Sequence, residues 1–206
     1  MRVGIANPVN QQTVRRSRCR GFSMLEILIA AVVFSIGAIG ATGMQILAAQ
    51  SNSEAMQRTQ AVYLATDIME RMHNNSAALD SYDTSGDNSW TILGGGSITN
   101  EPSPACDTAN CTPQQQAAHD LWAWERAMDG NGITRADVGA IGGLQSPTGC
   151  IRHTGTGRLE LAIAWLGRQS MTNATVAQGC TVVDRYGDNS EFRRIVHLRT
   201  LIAPPS

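Results

Sequence analysis

From Phe22 to Ala49 the chain runs for 28 residues with a single charge, Glu26. That length exceeds the roughly 20 apolar residues needed to cross a bilayer core. A segment with no water around it must satisfy its backbone internally, so it folds as a helix. The run opens Phe22-Ser23-Met24-Leu25-Glu26-Ile27-Leu28-Ile29, directly after Arg20 and Gly21. An ionisable side chain inside such a segment costs about 2.5–3.5 kcal/mol on insertion scales. The chain has no evident cation of its own for Glu26, so its natural partner is one brought by another molecule.

Charge divides the chain at the same place. All 16 basic residues are arginine, and five of them (Arg2, Arg15, Arg16, Arg18, Arg20) precede Phe22 without one acidic residue. The remainder holds eleven arginines against 17 acidic side chains, a formal charge of −6. An acidic body is a poor match for tracking phosphates, which argues against a nucleic-acid partner. A basic start before an apolar run also describes a secretory signal peptide, with Leu47-Ala48-Ala49 as a small-residue cleavage site. The run is about twice the usual length of such a signal core, and Glu26 would weaken it. A retained membrane helix is therefore the better reading. The arginine flank puts the N-terminus in the cytoplasm, leaving the C-terminal part periplasmic.

Cys19 stands in the leader; Cys106, Cys111, Cys150 and Cys180 fall in the exported part, where disulfides persist. Four cysteines allow three connectivities. Cys106–Cys111 with Cys150–Cys180 is favoured because each pair lies within one local segment. A zinc knuckle is a poor reading of C-x4-C with no second matching pair, and the four histidines are scattered. No metal and no cofactor is expected. Residues 75–111 are rich in turn formers and read as a long loop. Within it, Asp83, Ser85 and Asp87 have a faint calcium-loop spacing without the rest of that signature. Gly94-Gly95-Gly96 is no phosphate loop, since no lysine follows.

Four regions result: a leader at 1–21, the apolar half of a helix at 22–50, its amphipathic half at 51–74, and a globular domain at 75–206. Residues 22–74 would span about 80 Å as one helix, with Gly37, Gly40 and Gly43 in the membrane half. The spacing Ala55, Thr59, Val62, Ala65, Met69, Met72, widened by Leu64 and Ile68, predicts a stripe packed on the domain. A second helix starts with Thr112 as N-cap, Pro113 at the first position and Gln115 completing a capping box. It ends at Asp129-Gly130 and buries Ala117, Leu121, Trp124 and Met128; Trp122 and Trp124 read as packing residues rather than a ligand cage. Arg158 to Trp165 alternates as a strand with Leu159, Leu161, Ile163 and Trp165 on one face. Phe192–Leu201 and Thr148–His153 are further strands. The fold class is α+β: a long N-terminal helix packed on a small antiparallel sheet.

Gly21-Phe22-Ser23-Met24-Leu25-Glu26 followed by an apolar helix resembles the class III signal of type IV prepilins and related pseudopilins. Residues Ser35 to Gln45, Ala61 to Met72, Cys111-Thr112-Pro113 and Asp120 to Trp124 look like the minor pilin family named type IV pilus modification protein PilV. A late cysteine and the closing strand Leu198-Arg199-Thr200-Leu201 extend the likeness over most of residues 15–202. The resemblance implies that a prepilin peptidase cuts after Gly21 and methylates the new amine of Phe22. It implies too that Glu26 pairs with that amine on a neighbouring subunit. Cutting there removes five arginines and Cys19 and leaves a cation at the helix tip. The proline that many major pilins carry about twenty residues into this helix is absent, and Gly40 and Gly43 occupy the region.

By this resemblance the chain is a minor pilin that co-assembles with other minor pilins and the major pilin to prime a type IV pilus, with the fibre tip as one location. Its partners would be those subunits, the peptidase, the inner-membrane assembly platform and a tip adhesin. It would be membrane-inserted before assembly and in the pilus afterwards. The alternative in the same superfamily is a pseudopilin of a type II secretion system. From another class comes a membrane-anchored periplasmic hydrolase using a serine with His73, His119, His153 or His197. No G-x-S-x-G motif or acid–histidine spacing supports it, so the chain is read as a non-enzyme.

Overall fold

Neither proline nor glycine occurs between Ser51 and Asn74, and in the computed structural model one helix, α1, runs continuously over Met24–Asn74. The structure describes residues 21–86, 89–131, 134–135, 139–140, 142–154, 157–172, 177, 179–182 and 184–203. The expected leader up to Arg20, with Cys19, and Asp87 of the faint calcium-loop spacing lie outside the described residues. The chain forms two units, residues 1–46 and 47–206.

In the second unit α1 buries Ala61, Leu64, Ala65, Ile68 and Met72. The expected stripe is corrected here: Ala55, Thr59 and Val62 are exposed, and Met69 only half-buried. At about 100° per residue the buried five lie within an arc of about 100°, and the exposed line falls on the flank. After α1 come a 3-10 helix, Ser76–Ser81, and a short strand, β1, Thr91–Leu93, where the sequence predicts only loop. The second helix, α2, spans Pro113–Asp129. Thr112 caps it: its hydroxyl accepts from the Gln115 N–H, and the Gln115 side chain accepts from the Thr112 N–H. Gly130 closes it in the left-handed region at φ 75°, where glycine carries no steric penalty. The predicted stripe of α2 is buried in full, joined by Asp120 and Glu125.

Two short strands follow, β2 (Thr134–Arg135) and β3 (Gly139–Ala140), paired only with each other. The main sheet adds β4 (Thr148–Thr154), β5 (Arg158–Leu166) and β6 (Arg193–Leu201), in the order β1-β4-β5-β6 with every pair antiparallel. The fold is α+β, a long helix with a small antiparallel sheet. Ile151, Leu159, Leu161, Ile163 and Trp165 join the buried faces of α1 and α2 in one core. Gly149 permits the close approach of β4 to α2, since a Cβ there would lie 2.5 Å from the Trp124 ring. The Trp124 indole N–H donates to the Leu64 carbonyl at 2.9 Å, locking α2 to α1.

The opposite face of the sheet is covered as well, so β5 is buried along nearly its whole length. A second cluster there joins Cys150, Ala162 and Cys180 with Trp90 and Ile195. The register sets Arg152, Glu160 and Arg199 side by side, and both arginines bond the Glu160 carboxylate. The connection from β5 to β6 is tied down by Cys150–Cys180 and by the Tyr186 hydroxyl, which donates to the Ser146 carbonyl at 3.0 Å. The other disulfide joins Cys106 to Cys111.

Three carboxylates order the long segment between the helices. Glu125 accepts from the N–H groups of Gly94, Ser97 and Ile98 and from the Ser97 hydroxyl, at 2.6–2.8 Å. Asp129 accepts from the N–H groups of Gly95 and Gly96. The glycine triplet is thus an anion nest filled by the chain's own acids. Asp83 holds Ser85, Thr91 and the His153 N–H. Burial alone would raise the Asp83 carboxyl, but these hydrogen bonds outweigh it and hold it below the usual carboxylate range.

Glu125→Ala would strand those donors and is expected to cost about 3 kcal/mol, lowering Tm by roughly 6–12 °C. Thermal unfolding of the full chain in detergent checks this, and a shift under about 2 °C would contradict the nest. Intact mass without reductant should fall four hydrogens short of the all-thiol form, two for each bridge. Free thiols at those four cysteines would show the pairing to be wrong.

Candidate functional site

The tip of α1 gathers Gly21, Phe22 and Glu26. Ser23 begins the helix: its carbonyl accepts from the N–H of Glu26 at 3.0 Å and of Ile27 at 3.3 Å, and its hydroxyl accepts from Leu25. Ser23-x-x-Glu26 has the form of a capping box. Here neither bond of the box is made among the described residues: the Ser23 hydroxyl accepts from the Leu25 N–H instead of the Glu26 N–H, and none returns from the Glu26 carboxylate to the Ser23 N–H. Glu26 does lie in the first turn, where the helix dipole favours an anion by about 0.3–1 kcal/mol. That is less than the cost of placing a carboxylate in hydrocarbon. No ion pair with another described residue supplies the difference.

Every residue from Gly21 to Ala49 is exposed within the chain, including Phe22 at 80% and Phe34 at 77%. An 18-residue stretch of α1 reaches a mean hydropathy of 2.3 with none of it buried. The hydroxyls of this half are already satisfied: Ser35 donates to the Ala31 carbonyl at 2.7 Å and Thr42 to the Ala38 carbonyl at 2.9 Å. Such back-bonding suits a helix in an apolar medium. Glu26 is therefore the one charged group in a surface otherwise built to avoid water. It lies beside Leu25, Ile29, Ala30 and Val33 on a shallow apolar patch of the helix.

The glycines here meet no neighbour among the described residues. A Cβ built on Gly21, Gly37, Gly40 or Gly43 meets no atom within 4 Å. Glycine costs about 1 kcal/mol at each helical position, and no internal close approach offsets it. A need for glycine at these positions has to come from something outside the chain.

Cys106, Cys111, Cys150 and Cys180 belong to the second unit. The histidines remain dispersed. His153 Nδ1 is 2.8 Å from Asp80, and His197 faces Glu160, where burial and then Arg199 push its imidazole down. His73 lines a groove with Thr66, Met69 and Ile202. Among the described residues no serine hydroxyl is hydrogen-bonded to any histidine, so the arrangement offers no nucleophile–base pair. Sequence reasoning missed the buried hub at Asp120, which accepts from Tyr82 at 2.6 Å, from Gln116 and from Arg71. Burial and the bond to Asp120 push the Tyr82 hydroxyl far up, so it stays a donor. The hub joins residues 38 and 49 positions apart, which no local spacing reveals.

Residues 16–42 match the family model for the prokaryotic N-terminal methylation motif, which covers Gly21, Phe22 and Glu26. Residues 43–122 match the model described as type IV pilin Tt1218. The second match takes over where the first stops and carries it through the buried half of α1 into α2. No curated protein and no solved structure shows significant similarity to the chain.

Proposed function

The chain belongs to the type IV pilin-like superfamily, and from that premise we propose that it is a minor pilin of the branch called type IV pilus modification protein PilV. Members of the superfamily are structural subunits anchored by an apolar N-terminal helix, and that helix is present here. In this reading the protein co-assembles with other minor pilins and the major pilin to prime a pilus. It enters the inner membrane once, N-terminus inside and the 47–206 unit in the periplasm. A prepilin peptidase then cuts between Gly21 and Phe22 and methylates the new amine.

The observation that carries the proposal is the lone Glu26 on a helix half that buries nothing in its own chain. Cleavage at Gly21 creates a cation at the Phe22 amine. On a neighbouring subunit, that amine supplies the partner Glu26 lacks. An unpaired carboxylate in a low-dielectric site costs several kcal/mol, and a paired one much less. The open surroundings of Gly21 support the same reading, since a steric demand for glycine there would belong to the peptidase.

Glu26→Ala is expected to be cleaved normally yet to fail in restoring pili to a strain lacking the protein. Wild-type piliation by that variant would sink the pairing argument. If loss of the protein instead blocks secretion and spares pili, it is a type II secretion pseudopilin. Gly21→Ala should leave the leader attached, seen as a slower band on a gel and a longer intact mass. Normal processing of that variant would count against cleavage at this peptide bond.

A further inference from the structure

Glu101, Asp107 and His119 are brought together in the second unit, far from the tip of α1 in sequence and in no motif that spacing alone reveals. One ligand-type atom from each lies within 4.8 Å of the others. His119 is on the second turn of α2, and its ring is buried, with 9% of the residue exposed. Its Nε2 makes no hydrogen bond, although it points at the Glu101 carboxylate with Nε2···Oε1 at 3.5 Å. Leaving a buried ring nitrogen without a bond costs about 1–3 kcal/mol. A ligand between it and the two acids would satisfy that nitrogen.

We propose that Glu101, Asp107 and His119 form a binding site for a divalent transition metal of the zinc class. The donor set is one imidazole and two carboxylates. Imidazole nitrogen suits zinc and its neighbours, whereas calcium and magnesium take oxygen alone. A tetrahedral zinc with bonds of about 2.0–2.2 Å sets its ligand atoms about 3.3–3.6 Å apart. The His119–Glu101 separation already falls in that range. The other separations are within 4.8 Å, and both carboxylates are exposed, free to turn inward where closing is needed. Their exposure also leaves room for a water as the fourth ligand.

The framework is held independently of any ion. The Cys106–Cys111 disulfide closes a short loop around Asp107. Cys111 adjoins Thr112, whose capping box fixes the start of the helix that carries His119. Filled by a metal, the site would cross-link the loop before α2 to α2 itself. The competing account is a simple ion pair between a protonated His119 and Glu101, in which Asp107 has no part.

The test uses the untagged full chain in detergent, stripped with a chelator and titrated with Zn2+ by calorimetry, beside Asp107→Asn and His119→Gln. One Zn2+ per chain is expected, bound at least about tenfold more weakly by each variant. X-ray absorption at the zinc edge should show one imidazole nitrogen among oxygen ligands. Asp107 is exposed, so its variant keeps the fold even if His119→Gln does not, and circular dichroism checks both. Absence of binding to the wild type, or equal affinity in Asp107→Asn, would overturn the proposal.

Discussion

The rest of the domain depends on the packing of Ala61, Leu64, Ala65, Ile68 and Met72 into one core with Leu159, Leu161 and Ile163. A small sheet cannot bury its apolar face alone, and a helix with an apolar stripe needs a flat partner. Small side chains at 61 and 65 let the elements come close, while Leu64, Ile68 and Met72 fill the space between. Trp124 completes the corner by packing on the core while its indole N–H finds the Leu64 carbonyl. With the Arg71 and Tyr82 bonds to Asp120 it fixes α2 on the core, and so the targets of the acids α2 carries.

Those acids explain how a long turn-rich segment becomes ordered. Glu125 and Asp129 lie four residues apart on α2, so they share one side of the helix. From there they reach the backbone donors of residues 94–98 together. The composition of the segment speaks for loop, and beyond the 3-10 helix and β1 the described residues form no further helix or strand there. Its order comes from carboxylates supplied by another element.

The two halves of α1 solve opposite problems with one backbone. From Ala61 onward the helix is covered by its own chain. Up to Ala49 it is covered by none of the described residues, and its hydroxyls turn back onto its own carbonyls. A lone carboxylate in that half is a demand for a partner, and the proposed pairing with the Phe22 amine of a neighbouring subunit would answer it. The zinc-class site proposed at His119 concerns the other unit and stands or falls separately.

Periodicity and composition determined the apolar segment, the capping box of α2, the stripe of α2 and the strands β4, β5 and β6, because each is a local pattern read within one turn, one face or one strand. The stripe of α1 was misread at Ala55, Thr59 and Val62 because several lines of small and apolar residues run along that helix. Only contact with the sheet selects among them. The tertiary structure alone decided β1, the second covered face of the sheet, the Asp120 hub and the meeting of Glu101, Asp107 and His119. Each depends on residues distant in sequence that become neighbours only after the core has closed, and no spacing rule encodes that. Glu26 belongs to the first group: a charge in a membrane-length run is costly wherever the rest of the chain folds.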